Sequence, residues 1–398
     1  MRWFQSLLIT LVMLIVLSCS SNRLTSLPNV AGDSPHFKNL NSQQVQNIIL
    51  FIGDGMGIQQ VAVTRIATVG PDGRLAIDKM PVTGILTTHS ADNLITDSAA
   101  GATAMATGVK TRNGMIGMNA DTLGYATILE LAKQQGKSTG LVATSSIAHA
   151  TPAAFGAHVP NRRMQDKIAE QLLQNKIEVL LGGGKKYFIP QSENGSGRKD
   201  DLNLLTMAQQ QGYTVVETRE DFQKATAPYL LGLFAMDGLT TREPEPSLAE
   251  MTAKALQILS ADPDGFFLMV EGSQIDWGGH ANNLDKVIRQ TRLFDEAVKV
   301  GIQFAQKHGN TLVVVVADHE TGGLTIVKGK PDGSELEIKW VTNYHTGQPV
   351  PVYAFGPFSQ LFTGVHDNTF IPRVFATLWG IQPFPQQTTQ PKAMGEHQ

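Results

Sequence analysis

Ile48-Ile49-Leu50-Phe51-Ile52-Gly53-Asp54-Gly55-Met56-Gly57 sets a run of large apolar side chains against an acidic, glycine-rich turn. So short and apolar a run suits a strand buried on both faces, as in a parallel sheet covered by helices on either side. Thr139–Ala143, Glu178–Leu181, Tyr213–Val216, Phe266–Val270 and Leu312–Ala317 read as further buried strands. Between them Tyr125–Gln135, Met164–Asn175, Leu202–Gln211, Ser247–Ser260 and Leu284–His308 carry a helical period, and Gly136, Gly212 and Gly309 supply stops. Strands alternating with helices predict an α/β fold, a three-layer sandwich whose mainly parallel central sheet is flanked by helices. No linker interrupts residues 45–381, which read as one domain.

The bulk properties agree with such a core. The chain has 398 residues, 42% hydrophobic and 17% charged, enough to bury a substantial interior. A formal net charge of −3 argues against a nucleic-acid surface, so no nucleic-acid partner is expected.

The N-terminus departs from that average. Arg2 precedes the apolar run Leu7–Leu17, too short to span a bilayer comfortably but the right length for a signal segment. Val16-Leu17-Ser18-Cys19 resembles a bacterial lipoprotein signal, which implies removal of residues 1–18 and lipidation of Cys19. Cys19 is the only cysteine, so no disulfide is expected and the thiol is free for an anchor. Residues 19–44 read as a flexible tether, and residues 382–398, rich in Pro, Gln and Thr, as a disordered tail. The expectation is an exported, membrane-anchored lipoprotein in the periplasm or at the cell surface.

In open α/β sheets the site lies beyond the carboxyl ends of the strands. Asp54, Glu271 and Asp318 each end an apolar run, and carboxylates so placed are costly to bury unless paired or bound to a cation. Asp276-Trp277-Gly278-Gly279-His280 places two ligand types four residues apart, with the glycines allowing a tight loop. Asp318-His319 adds an adjacent oxygen and nitrogen. Such Asp/His sets suit catalytic zinc, whereas Glu271 and Thr151 offer oxygen alone and suit magnesium. His345, taken by itself, reads as a surface histidine.

Thr96-Asp97-Ser98-Ala99-Ala100-Gly101-Ala102-Thr103-Ala104 is either a capped, alanine-rich core helix or a nucleophile segment. Asp97 is a good N-cap, and Ser98 falls in the first turn, where free N–H groups favour an anion. A serine hydroxyl needs a base or a metal to become nucleophilic near neutral pH.

Asp97–Ala104 resembles the nucleophile signature of the alkaline phosphatases, and the resemblance continues in order from Asn47 to about Gly380. It takes in Gly53–Gly57, His149-Ala150-Thr151-Pro152, Asn161-Arg162, Leu181–Gly184, Glu271-Gly272, Asp276 with His280, Ala317–Gly323 and His345-Thr346-Gly347. The resemblance implies two zinc ions (Zn2+) and one magnesium (Mg2+). Asp276, His280 and His345 would hold the first zinc; Asp54, Asp318 and His319, with Ser98, the second. Asp54, Thr151 and Glu271 would hold magnesium, and His149 would act on it through water. Arg162 would clamp two phosphate oxygens, Asp97 would orient Arg162, and Ser98 would form a phosphoserine while small phosphomonoesters are hydrolysed.

Trp277 stands where many relatives carry a basic residue, so an outer phosphate shell poorer in positive charge is expected. The stretch Leu324–Asn343 is short, so a large dimer-capping subdomain is not expected, while a homodimer is left open. The rival reading is a superfamily relative acting on phosphodiesters or sulfate esters. Arg162 weighs against it, because a clamp on two free oxygens disfavours a second ester.

Overall fold

The computed structural model describes residues 45–388. The expected signal peptide, Cys19 and the tether lie outside the described residues. The strands are β1 (Asn47–Gly53), β2 (Val82–Thr87), β3 (Ser138–Ser146), β4 (Val179–Gly183), β5 (Thr214–Val216), β6 (Leu230–Leu233), β7 (Phe266–Gly272), β8 (Thr311–Val316), β9 (Glu320–Thr321), β10 (Thr325–Lys328), β11 (Glu337–Lys339), β12 (His345–Thr346), β13 (Val350–Phe355) and β14 (Gly364–Asp367). The helices are α1 (Ile58–Val69), α2 (Ser98–Thr107), α3 (Ile128–Gln134), α4 (Ala150–Gly156), α5 (Gln165–Gln174), α6 (Leu204–Gln210), α7 (Arg219–Lys224), α8 (Leu248–Leu259), α9 (Gln274–His280), α10 (Leu284–His308) and α11 (Phe370–Leu378).

Ten strands form one sheet in the order β14-β2-β13-β8-β1-β7-β3-β4-β6-β5, with helices on its faces. β13 alone runs against its neighbours β2 and β8; every other pairing in the sheet is parallel. This is the expected α/β architecture of a mainly parallel sheet flanked by helices. β1 lies between β7 and β8 and is buried along its whole length, as its unbroken apolar run requires. In register, Ile52 faces Glu271 on one side and Val316 on the other, so Asp54 and Asp318 leave the sheet at the same level.

The long helix α10 keeps the predicted bounds because both ends are capped. The Asn283 side chain accepts from the Lys286 N–H, and Gly309 takes the left-handed conformation that closes the last turn. The helix expected from Tyr125 begins instead at Ile128, where Thr127 and Glu130 form a capping box. Tyr125 is drawn out of the helix because it bridges Gln387. Residues 382–388 are therefore not part of a frayed tail. The Ala126 N–H donates to the Gln386 carbonyl and the Thr388 N–H to the Gly124 carbonyl, both at 2.9 Å. Residues 389–398 lie outside the described residues.

Candidate active site

Strand ends and helix starts converge beyond the carboxyl edge of the central strands. Asp54 follows β1, Glu271 lies in β7 and Asp318 follows β8; all three are fully buried. Gly55 has φ +72°, and a Cβ there would come within 2.8 Å of the Asp276 Cα. The turn after β1 thus needs glycine twice over, for its backbone and for the approach of α9.

α9 replaces the tight loop expected around Gly278 and Gly279. Asp276 and His280 sit one helical turn apart on the same face, with His280 Nε2 3.4 Å from Asp276 Oδ1. The glycines serve packing rather than a bend: a Cβ on Gly278 would lie 2.9 Å from the Val287 backbone nitrogen, and one on Gly279 2.8 Å from the Thr321 methyl.

His345 is not the surface histidine that it resembles in isolation. It is buried in β12, paired to β9, with Nδ1 2.8 Å from the Thr96 carbonyl and Nε2 3.5 Å from Asp276 Oδ1. Its Nε2 is also 3.2 Å from His280 Nε2, and its ring stacks on His319 at 3.5 Å between centroids. His319 Nε2 lies 3.5 Å from Asp54 Oδ1 and 3.3 Å from Asp318 Oδ2.

Three sets of potential ligand atoms each lie within 4.8 Å of one another: Asp276, His319 and His345; Asp54, Asp318 and His319; and Asp54, His149 and Glu271. His319 therefore belongs to two sets, and His149 joins Asp54 and Glu271 in the third. The unmet polar atoms fall here as well. Both Asp54 oxygens, Thr151 Oγ1, Glu271 Oε1 and Asp318 Oδ2 are buried with no hydrogen-bond partner. Buried acceptors without donors are unstable alone and are completed by cations, so the donor set fits divalent metal ions.

The charges tell the same story. Burial, reinforced by Asp318, Asp276 and Glu271, pushes Asp54 well above the ordinary carboxylate range. Burial pushes Glu271 up to about 7, and burial with the nearby Asp276 pushes Asp318 up to about 6. Asp276 goes the other way: burial opposes its charge, but the hydrogen bond from His345 and the surrounding imidazoles hold it low. Burial and the Arg162 guanidinium bring His149 down to about 3, and burial with His345 keeps His319 well below its ordinary value. Both rings are thus neutral and free to offer a nitrogen lone pair.

Ser98 opens α2, and its Oγ lies 3.3 Å from His319 Nε2. Asp97 caps that helix through Ala100 N at 3.0 Å and also accepts from Gly114 N at 3.0 Å and from Arg162 Nη1 at 2.9 Å. Arg162 Nη2 reaches His149 Nε2 at 3.2 Å. A partly exposed guanidinium is therefore held beside a serine at a helix N-terminus, which suits a tetrahedral dianion.

Several supporting residues escaped the sequence reading. Thr321 Oγ1 donates to Asp276 Oδ1 at 2.5 Å and lies 3.2 Å from His319 Nδ1, tying the two clusters together. Ser273 Oγ donates to Glu271 Oε2 at 2.7 Å, and Ser145 Oγ to the same oxygen at 3.3 Å. Trp277 packs edge-on against His149, ring centroids 6.5 Å apart, and the Lys286 ammonium sits 5.4 Å above the indole. Thr321 had a signal, two residues beyond His319; Lys286 had none, because its approach depends on how α10 folds back on α9.

A family profile described as alkaline phosphatase matches residues 45–335. The chain is 35% identical to alkaline phosphatase 3 of Bacillus subtilis over 95% of its own length and 98% of that protein. The solved structure of alkaline phosphatase from the Antarctic bacterium TAB5 is 36% identical, superposes with a TM-score of 0.78, and is covered over 99% of its length by 85% of this chain. A TAB5 variant solved with magnesium bound gives a TM-score of 0.77 at 36% identity, over 84% of this chain and 98% of that one.

Proposed function

This chain belongs to the alkaline phosphatase family and is an enzyme of that type; from that premise we propose that it hydrolyses small phosphomonoesters through a phosphoserine on Ser98. One observation carries the reading: Ser98 Oγ lies 3.3 Å from His319 Nε2, and that nitrogen is 3.5 and 3.3 Å from buried oxygens of Asp54 and Asp318 that lack hydrogen-bond partners among the described residues.

Asp276, His280 and His345 would hold a first zinc, Asp54, Asp318 and His319 a second beside Ser98, and Asp54, Thr151 and Glu271 a magnesium. When bound, such ions supply Lewis-acid stabilisation of charge on the serine oxygen and on the leaving oxygen. The protein's own groups do the rest. Arg162, braced by Asp97, grips two non-bridging oxygens and turns phosphorus toward Ser98. The α2 N-terminus adds N–H groups and a favourable dipole. Ser98 Oγ forms a bond to phosphorus as the ester oxygen departs with its alcohol. Water then attacks phosphorus from the vacated side, restoring Ser98 and releasing inorganic phosphate. His149, neutral and fixed by Arg162, lines the oxygen cluster beside Glu271.

The grip of Arg162 on two free oxygens favours a monoester over a diester or a sulfate ester. Metal content of the purified protein, with activity after chelation and re-addition of zinc and magnesium, tests the reading. The expected result is loss and recovery of monoester hydrolysis, with a diester of the same alcohol turned over far more slowly. Full activity in the metal-free protein would overturn it.

The same reading places the enzyme outside the cytosol, tethered through a lipid on Cys19. Among the described residues no helix is long and apolar enough to cross a membrane. Incorporation of labelled palmitate that disappears in Cys19→Ser checks the anchor.

A further inference from the structure

Trp277 brings no charge to the pocket, yet its indole is not left bare. Lys286, half-buried in the first turn of α10, carries its ammonium 5.4 Å above the ring centroid. The ring itself is fixed. His149 meets it edge-on at 84°, and a Cβ on Gly238 would come within 2.5 Å of the indole Cη2. Lys286, Trp277, His149 and Arg162 thus form a chain of contacts at 5.4, 6.5 and 3.2 Å that ends on the phosphate-gripping guanidinium.

The position of Lys286 is not explained by stability. A cation in the first turn of a helix meets the positive end of the dipole. Lys286 forms no ion pair among the described residues, and its neighbour Arg289 repels it. Arg289 spends its own donors on the Thr241 carbonyl and hydroxyl. A cation–π contact offsets part of this cost and orders a long side chain that would otherwise sample many rotamers. Asp276, the other group to which Lys286 couples, favours its charge from within the site.

We propose that Lys286 is a specificity-determining residue of the phosphate site: seated on Trp277, it supplies the outer positive charge that retains a dianionic phosphoryl group and the phosphate product. The proposal rests on the phosphomonoesterase reading above. It also revises the expectation drawn from the indole alone, since the outer shell regains a cation from a different helix.

The test uses the metal-loaded full chain, with inorganic phosphate as the probe. Lys286→Met keeps the apolar stem and removes the charge; Lys286→Arg keeps both. Competitive inhibition by phosphate is measured against hydrolysis of a monoester with a neutral leaving group. Binding of labelled phosphate is measured separately by equilibrium dialysis. Lys286→Met is expected to weaken phosphate about 5- to 20-fold in both assays, to flatten the dependence on ionic strength and to raise kcat where release limits turnover. Lys286→Arg is expected to stay within about twofold of the parent. Unchanged phosphate affinity in Lys286→Met, with Arg162→Ala still weakening it, would overturn the role of Lys286 and leave the phosphate site intact. If the parent itself bound no phosphate, the underlying reading would fail with it. A loss confined to substrates bearing a second anionic group would assign Lys286 to the leaving group instead, and so overturn the proposal.

Discussion

Ser98 Oγ lies 3.3 Å from Nε2 of His319, so the first residue of α2 meets the Asp318-His319 pair that follows β8. Among the described residues no other side chain makes a hydrogen bond to the serine oxygen. Ser98→Ala is expected to abolish trapping of labelled phosphoenzyme and to cut kcat by about 10³-fold or more, with zinc and magnesium content unchanged. Phosphoenzyme recovered from the alanine variant would remove Ser98 from the mechanism.

Arg162 and Asp97 share one hydrogen bond but predict different losses. Arg162→Ala removes a charged grip worth roughly 2–4 kcal/mol, so kcat/KM on monoesters should fall about 30- to 1000-fold with little change in melting temperature. Asp97→Ala also removes the α2 cap, costing about 1 kcal/mol of stability. A lower melting temperature should therefore accompany its smaller kinetic defect. Thermal scans beside steady-state kinetics of both variants separate the two effects.

Glu271 ties stability to pH in the metal-free protein. Its folded-state value, raised to about 7 by burial, lies above that of an exposed glutamate. The folded state therefore binds the proton more tightly, and that stabilisation is complete below about pH 4.5 and lost as pH rises through about 7. Glu271→Gln keeps the shape without the charge. After chelation, its advantage over the parent should grow from near zero at about pH 4.5 as pH rises through about 7, the more so because the Glu271 charge also raises Asp54. His149 and His319 titrate oppositely, losing stability as pH falls below about 6.5, so the comparison is read from the rise above that pH. Denaturant melts across that range check the difference, and a constant gap would sink it.

Gly278→Ala tests why α9 carries two glycines. Alanine gains about 1 kcal/mol in helix propensity, but its methyl would lie 2.8 Å from Val287 Cγ2 and 2.9 Å from its backbone nitrogen. Backbone cannot yield as a side chain can, so overpacking of about 1–3 kcal/mol prevails. The expected outcome is a net loss of stability together with weaker zinc binding, because Asp276 and His280 ride on the displaced turn. Competitive chelator titration reads the second effect.

The central strands were legible because burial on both faces leaves an unbroken apolar signature, as in Ile48–Ile52 and Leu312–Ala317. The β14-β2-β13 edge of the sheet was not. β2 holds Gly84 and half-exposed residues, and β14 is exposed or half-exposed throughout. β13 contains Pro351, a residue that argues against a sheet interior. Asp54, Glu271 and Asp318 could be singled out because their strand-end positions follow from local pattern. His345 needed the resemblance, since its burial comes from pairing with β9 across the chain. Lys286 lies beyond local pattern altogether, because its approach to Trp277 arises where α10 meets α9.

The stacked rings of His319 and His345 come from neighbouring strands of the short β9–β12 ribbon and the turn that feeds it. Thr321 bonds at once to Asp276 and His319. The two clusters are thus joined by a ring stack and by one shared hydroxyl. A substitution at Thr321 is therefore expected to reach both clusters at once.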